Sequence, residues 1–129
     1  MAELSKSGWM TASVDEIGPA KPDWPATWKS VRHHFGITAF GINAVTRSAG
    51  EVLIPEHDET ESGQEEIFFV HEGDALVTLD GEQVRAAAGT FVAVAPATRR
   101  TLEAVASPTT VVVVGAPVGR AYEPPAWEQ

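Results

Sequence analysis

The chain of 129 residues contains no cysteine and no long apolar run. The lack of cysteine excludes disulfides, thiolate metal ligands and a cysteine nucleophile, and it fits a cytoplasmic protein. No stretch of about 18 apolar residues is present, so no membrane-spanning helix is predicted. The first ten residues, MAELSKSGWM, lack the apolar centre of a signal peptide, and we therefore predict that the protein is not exported.

Basic residues are scarce. The chain has 9 Lys and Arg against 18 Asp and Glu, which gives a formal charge of −9. Nucleic acids and anionic membranes bind basic surfaces, so neither is an expected partner. Many of the acids cluster in residues 51–66. Most of this cluster fits a solvated loop, while a few of its members fit a cation site or a carboxylate-lined pocket.

A helical repeat of apolar residues is also missing from the chain. Short alternating runs instead predict about eight to ten strands separated by Gly and Pro turns, which is typical of an all-β sandwich or barrel. Asp80 and Gly81 stand between two such runs and predict a two-residue type I′ hairpin turn. The run Val111 to Val114 predicts a strand that is buried on both faces.

Residues 30–46 alternate along their length and predict one long strand, with Gly36 and Gly41 at bulges or sites of close packing. In such a strand the adjacent His33 and His34 would point in opposite directions, so only one of them would face a pocket.

Both ends of the chain are rich in proline and tryptophan. We predict a single domain, 1–129, with a barrel core of about residues 30–116 and surface arms at residues 1–29 and 117–129. Trp24 and Trp28 are expected to anchor the first arm on the body or on a partner subunit. This arm and the uncovered long strand together predict a homodimer.

The stretch GEVLIPEHDETESGQEEIFFVHEG carries most of a metal site. His57, Glu59 and Glu61 occupy alternate positions in the sequence, so in an extended strand their side chains would all lie on the same face. A carboxylate on a barrel wall needs a partner, which makes Glu66 the strongest single candidate for a pocket residue.

Alternation also divides the residues that follow. Glu66, Phe68 and Val70 would share the inward face of a strand, whereas His71 would lie on the opposite face, at the surface or packed against the sheet.

The spacing of these residues resembles the two motifs of the cupin superfamily. The first motif is matched by Gly50, His57, Glu59, Glu66 and Gly73. The second is matched in spacing from Gly89 onwards, with Ala95 and Pro96 at its Pro-x positions, Ala97 where the family has Gly, and Arg100 where it has His. The resemblance covers roughly residues 37 to 115 and implies a double-stranded β-helix, or small jelly-roll barrel.

The departures from the family pattern concern the metal. The resemblance implies three His and one Glu as ligands, but this chain offers His57 and Glu66. One missing His is replaced by an acid, either Glu59 or Glu61, and the other by Arg100, which stays protonated and cannot bind a cation.

Two consequences follow for the site. Arg100 is expected to pair bidentately with Glu66 inside the barrel and so to replace part of the charge of a metal. The remaining set of His57, Glu59 and Glu66 can still hold a hard ion such as Mn²⁺ or Ca²⁺ weakly, and suits Fe²⁺ or Zn²⁺ less well.

Three functions remain open. The first is binding of a small molecule, an anionic one among the candidates, in an apolar pocket lined by His57, Glu59, Glu66, Phe68 and Arg100. The second is a metal-dependent enzyme of the isomerase, epimerase, decarboxylase or dioxygenase type, with His57 or Glu66 as base or ligand. The third is a structural protein with a vestigial pocket. The fold alone does not choose between them.

Overall fold

The computed structural model describes residues 8–19 and 27–126. In these residues the chain forms nine strands, one turn of 3-10 helix and one short α-helix. The 3-10 turn covers Val14–Glu16 and helix α1 covers Val31–Phe35. The strands are β1 (Thr27–Ser30), β2 (Gly41–Arg47), β3 (Val52–His57), β4 (Gln64–Glu72), β5 (Asp74–Leu79), β6 (Glu82–Ala87), β7 (Phe91–Val94), β8 (Arg100–Ala104) and β9 (Thr109–Pro117).

The strands form two antiparallel sheets. The first has the order β1-β2-β9-β4-β7 and the second the order β3-β8-β5-β6. Each sheet turns one apolar face inward, and the shared core includes Val45, Phe68 and Val111 from the first sheet and Val77 and Leu102 from the second. The architecture confirms the predicted jelly-roll barrel.

The hairpin between β5 and β6 is the turn that the sequence predicts. Asp80 has φ 48° and Gly81 has φ 84°, and Leu79 pairs directly with Glu82 across them. Two successive positive φ values are the signature of a type I′ turn, which suits the twist of the two strands.

The prediction of one long strand over residues 30–46 is wrong. Ser30 ends β1 and caps helix α1, because its side chain accepts a hydrogen bond from the backbone of His33 at 3.2 Å. Gly36 ends the helix in the left-handed conformation, φ 73°. A Ser cap and a Gly C-cap enclose a helical turn here, and these local signals outweigh the alternation. His33 is exposed and His34 is partly buried.

Strand β9 only partly matches its prediction. Val111 and Val113 face the core and are buried, whereas Val112 and Val114 on the outer face are only partly buried. The run of four valines therefore has one fully covered face.

The arms differ from each other. In the first, Ile17 is buried and the Nζ atom of Lys29 donates to the Val14 carbonyl oxygen at 2.6 Å, but Trp9 is 70% exposed. Trp28 packs against the core, and Trp24 lies outside the described residues. The second arm does not simply cover the surface, since it reaches the mouth of the barrel. Among the described residues, no helix has the length and apolar character needed to span a bilayer.

Candidate functional site

A cavity of about 370 Å³ opens into the barrel. Strands from both sheets supply its walls, and the C-terminal segment closes one side. The wall includes Trp28, Asn43, His57, Glu59, Gln64, Glu66, Phe68, Tyr122 and Glu123. The cavity wall thus combines apolar and aromatic side chains with acidic ones.

His57 reaches this cavity because β3 is irregular. Ile54 pairs with Leu102 and His57 pairs with Arg100, so three residues of β3 span two residues of β8. An extra residue of this kind re-aims the side chains that follow it. Without the bulge, Ile54 and His57 would face opposite sides of the sheet, whereas both line the cavity.

Glu59 lies in a loop that folds back on itself. Asp58 accepts hydrogen bonds from the backbone and hydroxyl of Thr60, which ends the extended chain. The side chain of Glu59 then meets the Nε2 atom of His57 at 2.7 Å and accepts a hydrogen bond from the Ser62 hydroxyl at 2.6 Å. Two partners therefore hold this carboxylate beside the imidazole.

The turn at Asp58 also decides between the two acids. Glu61 is exposed and lines a neighbouring depression but not the barrel cavity, so the shared face expected for His57, Glu59 and Glu61 does not form. Glu59, not Glu61, occupies the position beside His57.

Strand β4 places Glu66 and Phe68 on the inner face, in agreement with the alternation, and both line the cavity. His71 is exposed, as predicted. His57, Glu59 and Glu66 each offer one possible metal-ligand atom, and these three atoms lie within 4.8 Å of one another. The structure thus brings together the three residues that the sequence singled out for a metal.

The three groups have different protonation tendencies. The hydrogen bond with Glu59 raises the pKa of His57 although partial burial opposes it, and the same bond lowers the pKa of Glu59. Burial raises the pKa of Glu66; the Glu59 carboxylate adds to this rise, and Arg100 offsets part of it. Without a cation, the hydrogen bond between His57 and Glu59 favours the charged forms of both groups, whereas burial makes Glu66 a weaker acid than an exposed carboxyl group.

Arg100 does not line the cavity, which corrects its expected role as a direct ligand contact. Its side chain is 0% exposed, with Nη1 at 3.6 Å from Glu66 Oε1 and Nη2 donating to the Ala95 carbonyl oxygen at 2.8 Å. The expected bidentate pair is absent as well, because 3.6 Å is too long for a hydrogen bond. Arg100 is a buried cation behind Glu66, and Glu66 stands between it and the cavity.

A divalent cation fits this donor set. Metal–oxygen and metal–nitrogen bonds of about 2.0–2.2 Å place neighbouring ligand atoms roughly 3–4 Å apart, and the ligand atoms of the three residues lie within 4.8 Å of one another. Glu66 Oε1 is buried, and in the described part of the chain it has no hydrogen-bond partner. One imidazole and two carboxylates suit a hard ion such as Mn²⁺.

The sequence reasoning missed the contribution of the chain ends. The sequence predicts that Trp28 anchors the first arm on the body or on a partner subunit and that the C-terminal arm lies on the surface, yet Trp28, Tyr122 and Glu123 all line the cavity. A Cβ atom built on Gly41 would lie 2.8 Å from the hydroxyl oxygen of Tyr122, so the ring lies directly on the backbone there. The available signal was the only tyrosine of the chain, placed in a Pro-rich tail.

Solved structures share this architecture. A cupin protein from Bacteroides fragilis is 19% identical, with a TM-score of 0.66 and coverage of 94% of both chains. A predicted oxalate decarboxylase from Thermotoga maritima is 14% identical, with a TM-score of 0.68 and coverage of 84% of this chain and 100% of the other. A sugar phosphate isomerase of the cupin superfamily from Silicibacter pomeroyi is 19% identical, with a TM-score of 0.66 and coverage of 83% and 75%. At these identities the likeness shows the fold alone.

A search of curated proteins returns no match. The family comparison is decisive, because residues 45–115 match the cupin domain and so account for more than half of the chain. This protein belongs to the cupin superfamily.

Proposed function

We propose that this protein binds a small polar molecule in the barrel cavity, with a divalent cation on His57, Glu59 and Glu66 as the anchor. The observation that carries the proposal is the convergence of these three side chains on the cavity, with ligand atoms within 4.8 Å. Bound there, the cation would supply a Lewis acid for an oxygen atom of the ligand.

The charge of the wall supports a role for the cation in ligand selection. Glu59, Glu66 and Glu123 line the cavity, and within the described residues no Lys or Arg does. A bare cavity of this kind repels anions and suits neutral hydroxyl or amide groups, which Asn43 and Gln64 are placed to meet. An anionic ligand therefore requires the cation, since Arg100 is shielded by Glu66.

A metal titration tests the proposal. After treatment with a chelator, the melting temperature is measured with Mn²⁺, Ca²⁺ or Zn²⁺ for the wild type, His57→Ala and the control His71→Ala. An ion at 100 times its Kd stabilises the folded state by about 2.7 kcal/mol, which is roughly 10 °C for a domain of this size. We expect this shift with Mn²⁺ in the wild type and the control but not in His57→Ala. Equal melting temperatures with and without every ion would remove the cation from the proposal.

A second candidate is an enzyme, and the electrostatics of the site favour it. Glu66 has a raised pKa and lies beside Glu59, whose pKa is lowered by His57. When the pKa values of neighbouring groups are shifted apart in this way, one group can act as an acid and the other as a base. Two structural relatives are described as an oxalate decarboxylase and a sugar phosphate isomerase, so oxalate and sugar phosphates are the first substrates to assay. Turnover that Glu66→Gln abolishes, with Mn²⁺ binding retained, would move the enzyme to first place.

The homodimer and the cytoplasmic location remain proposals. Cell fractionation tests the location. The long strand, one of the two features from which the sequence predicts a dimer, does not form, and light scattering tests the oligomeric state.

A further inference from the structure

The C-terminal segment, residues 118–126, is tied to the loop between β3 and β4. Directly after β9, the backbone N–H of Val118 donates to the Gly63 carbonyl oxygen at 3.2 Å. Two residues further on, the Nη2 atom of Arg120 donates to the Ser62 carbonyl oxygen. Two consecutive carbonyl groups of the loop thus each accept a hydrogen bond from the C-terminal segment, which joins the segment to the loop.

The same loop fixes Glu59. The backbone N–H of this residue donates to the Pro96 carbonyl oxygen at 2.8 Å, and its carbonyl oxygen accepts a hydrogen bond from the Gly63 N–H at 2.7 Å. The Ser62 hydroxyl donates to the Glu59 carboxylate at 2.6 Å. Ser62 therefore has two contacts that matter together: its hydroxyl orients the carboxylate, and its carbonyl oxygen is held by Arg120.

The charge of Arg120 by itself opposes a nearby cation. Arg120 and Glu59 both line the depression beside the barrel cavity, and a guanidinium close to a divalent ion repels it. The hydrogen bond to the Ser62 carbonyl oxygen acts in the other direction, because it holds the loop that presents the ligand. The electrostatic and the geometric effects of Arg120 on cation affinity thus have opposite signs, so a measurement can separate them.

We propose that Arg120 is a positioning residue for the cation site and acts through Ser62 on Glu59. The inference rests on the proposed function, because it concerns the affinity for a cation on His57, Glu59 and Glu66. Arg120 holds the loop so that the Glu59 carboxylate is in place before the cation arrives. Less conformational freedom is then lost on binding, which is how residues behind a metal ligand raise affinity.

The coupling also acts from the cation to the C-terminal segment. If the attached segment raises cation affinity, then the bound cation strengthens the attachment by the same factor. The segment places Tyr122 and Glu123 on the cavity wall. Cation binding therefore also orders one side of the cavity that the ligand contacts.

Calorimetric titration of the chelator-treated protein with Mn²⁺ tests the proposal. We expect Arg120→Ala to raise the Kd by ~5–10-fold, just below the range for residues that contact a metal ligand directly, although it removes a repelling charge. Arg120→Lys keeps the charge and a donor and should recover part of the affinity. Ser62→Ala should raise the Kd by at least ~10-fold. Adding Arg120→Ala to Ser62→Ala should change the Kd by less than ~2-fold, because Arg120 acts through Ser62.

Arg99→Ala is the matched control. This arginine is 53% exposed, and its Nη1 atom lies 3.8 Å from Oδ2 of Asp58 in the same loop. Its replacement removes one positive charge near the site, as Arg120→Ala does, but leaves the hydrogen bond to Ser62 in place. The Kd for Mn²⁺ should stay the same or fall, since only a repulsion is lost.

Hydrogen exchange measured by mass spectrometry gives a second readout. Mn²⁺ should slow the exchange of the Val118 amide by ~5–10-fold in the wild type and by less than ~2-fold in Arg120→Ala. Circular dichroism melts check that each variant folds. Arg120 is exposed, so its replacement leaves the buried core unchanged.

The outcomes separate this inference from the proposed function. If Mn²⁺ binds neither the wild type nor Arg99→Ala, the cation site is wrong and the role of Arg120 with it. If the wild type binds Mn²⁺ but Arg120→Ala binds it equally or more tightly, the positioning role is overturned and the cation site stands. Exchange of the Val118 amide that Mn²⁺ leaves unchanged in the wild type would overturn the positioning role in the same way.

Discussion

The contact between Arg100 and Glu66 allows a quantitative test. Arg100 is 0% exposed, and its Nη1 atom lies 3.6 Å from Glu66 Oε1. The separation is too long for a hydrogen bond, but the two charges interact strongly because little water reaches them. The Nε and Nη1 atoms of Arg100 have no hydrogen-bond partner within the described residues, and Glu66 is the carboxylate that forms an ion pair with this buried charge.

The expected loss on Arg100→Ala follows from this burial. Removing one member of a buried ion pair destabilises a protein by about 3–5 kcal/mol, because the other charge is left without a partner. Glu66 keeps 14% of its side chain exposed and faces the cavity, where it can also accept a proton. We therefore expect the lower end of the range, about 3 kcal/mol.

Two further variants separate charge from packing. Arg100→Met keeps most of the aliphatic volume, and we expect it to lose about 2 kcal/mol through the unpaired carboxylate alone. Glu66→Gln should lose only about 1 kcal/mol, because its amide oxygen remains an acceptor for the guanidinium.

Urea unfolding of Arg100→Met, Glu66→Gln and the double variant completes a thermodynamic cycle. We expect a coupling free energy of about 1–2 kcal/mol between the two positions. Arg85→Ala serves as the control, since this arginine is 59% exposed and pairs with Asp74 at the surface, and it should change stability by no more than about 0.5 kcal/mol. A coupling below about 0.5 kcal/mol, or wild-type stability in Arg100→Met, would refute the view that Arg100 compensates Glu66.

Two other predictions concern backbone geometry and pH. Gly73 has φ 84°, and a Cβ atom there would lie 2.5 Å from the Pro108 carbonyl oxygen, so Gly73→Ala should destabilise by more than about 3 kcal/mol in urea unfolding. The control Gly81→Ala has the same φ with no atom within 4 Å and should lose only about 1 kcal/mol; equal losses would contradict a steric cause. Mn²⁺ affinity should rise with pH, because the pKa values of His57 and Glu66 are both raised and the ion must displace their protons as the pH falls through those values. Calorimetric titrations between about pH 5 and pH 8 check this, and a flat profile would contradict the assigned ligands.

The barrel was predictable from sequence where a single local rule applied. The Asp80-Gly81 turn and the inward alternation of Glu66 and Phe68 both follow from the two-residue repeat of a strand and from turn chemistry. The same repeat failed over residues 30–46, where Ser30 and Gly36 enclose a helical turn.

The candidate site was only partly predictable, because it depends on departures from regular structure. The two-residue alternation of a strand correctly predicts that His57 and Glu59 face the same way, but it wrongly includes Glu61, because the turn at Asp58 interrupts the strand. The bulge that directs His57 inwards carries no Gly or Pro signature beyond Pro55. The orientation of Arg100 depends on side-chain packing across two sheets, which no local pattern encodes.

The C-terminal segment determines how the opening of the barrel cavity can vary. Tyr122, Glu123 and Pro125 form part of the cavity wall but belong to no strand and contribute nothing to the core. Substitutions there can alter the shape and charge of the opening without changing any residue of the buried core. Under the proposed function, the residues that shape the opening and those that form the buried core lie in largely separate parts of the chain, so a new specificity can evolve, or be engineered, in the tail with few changes to the core.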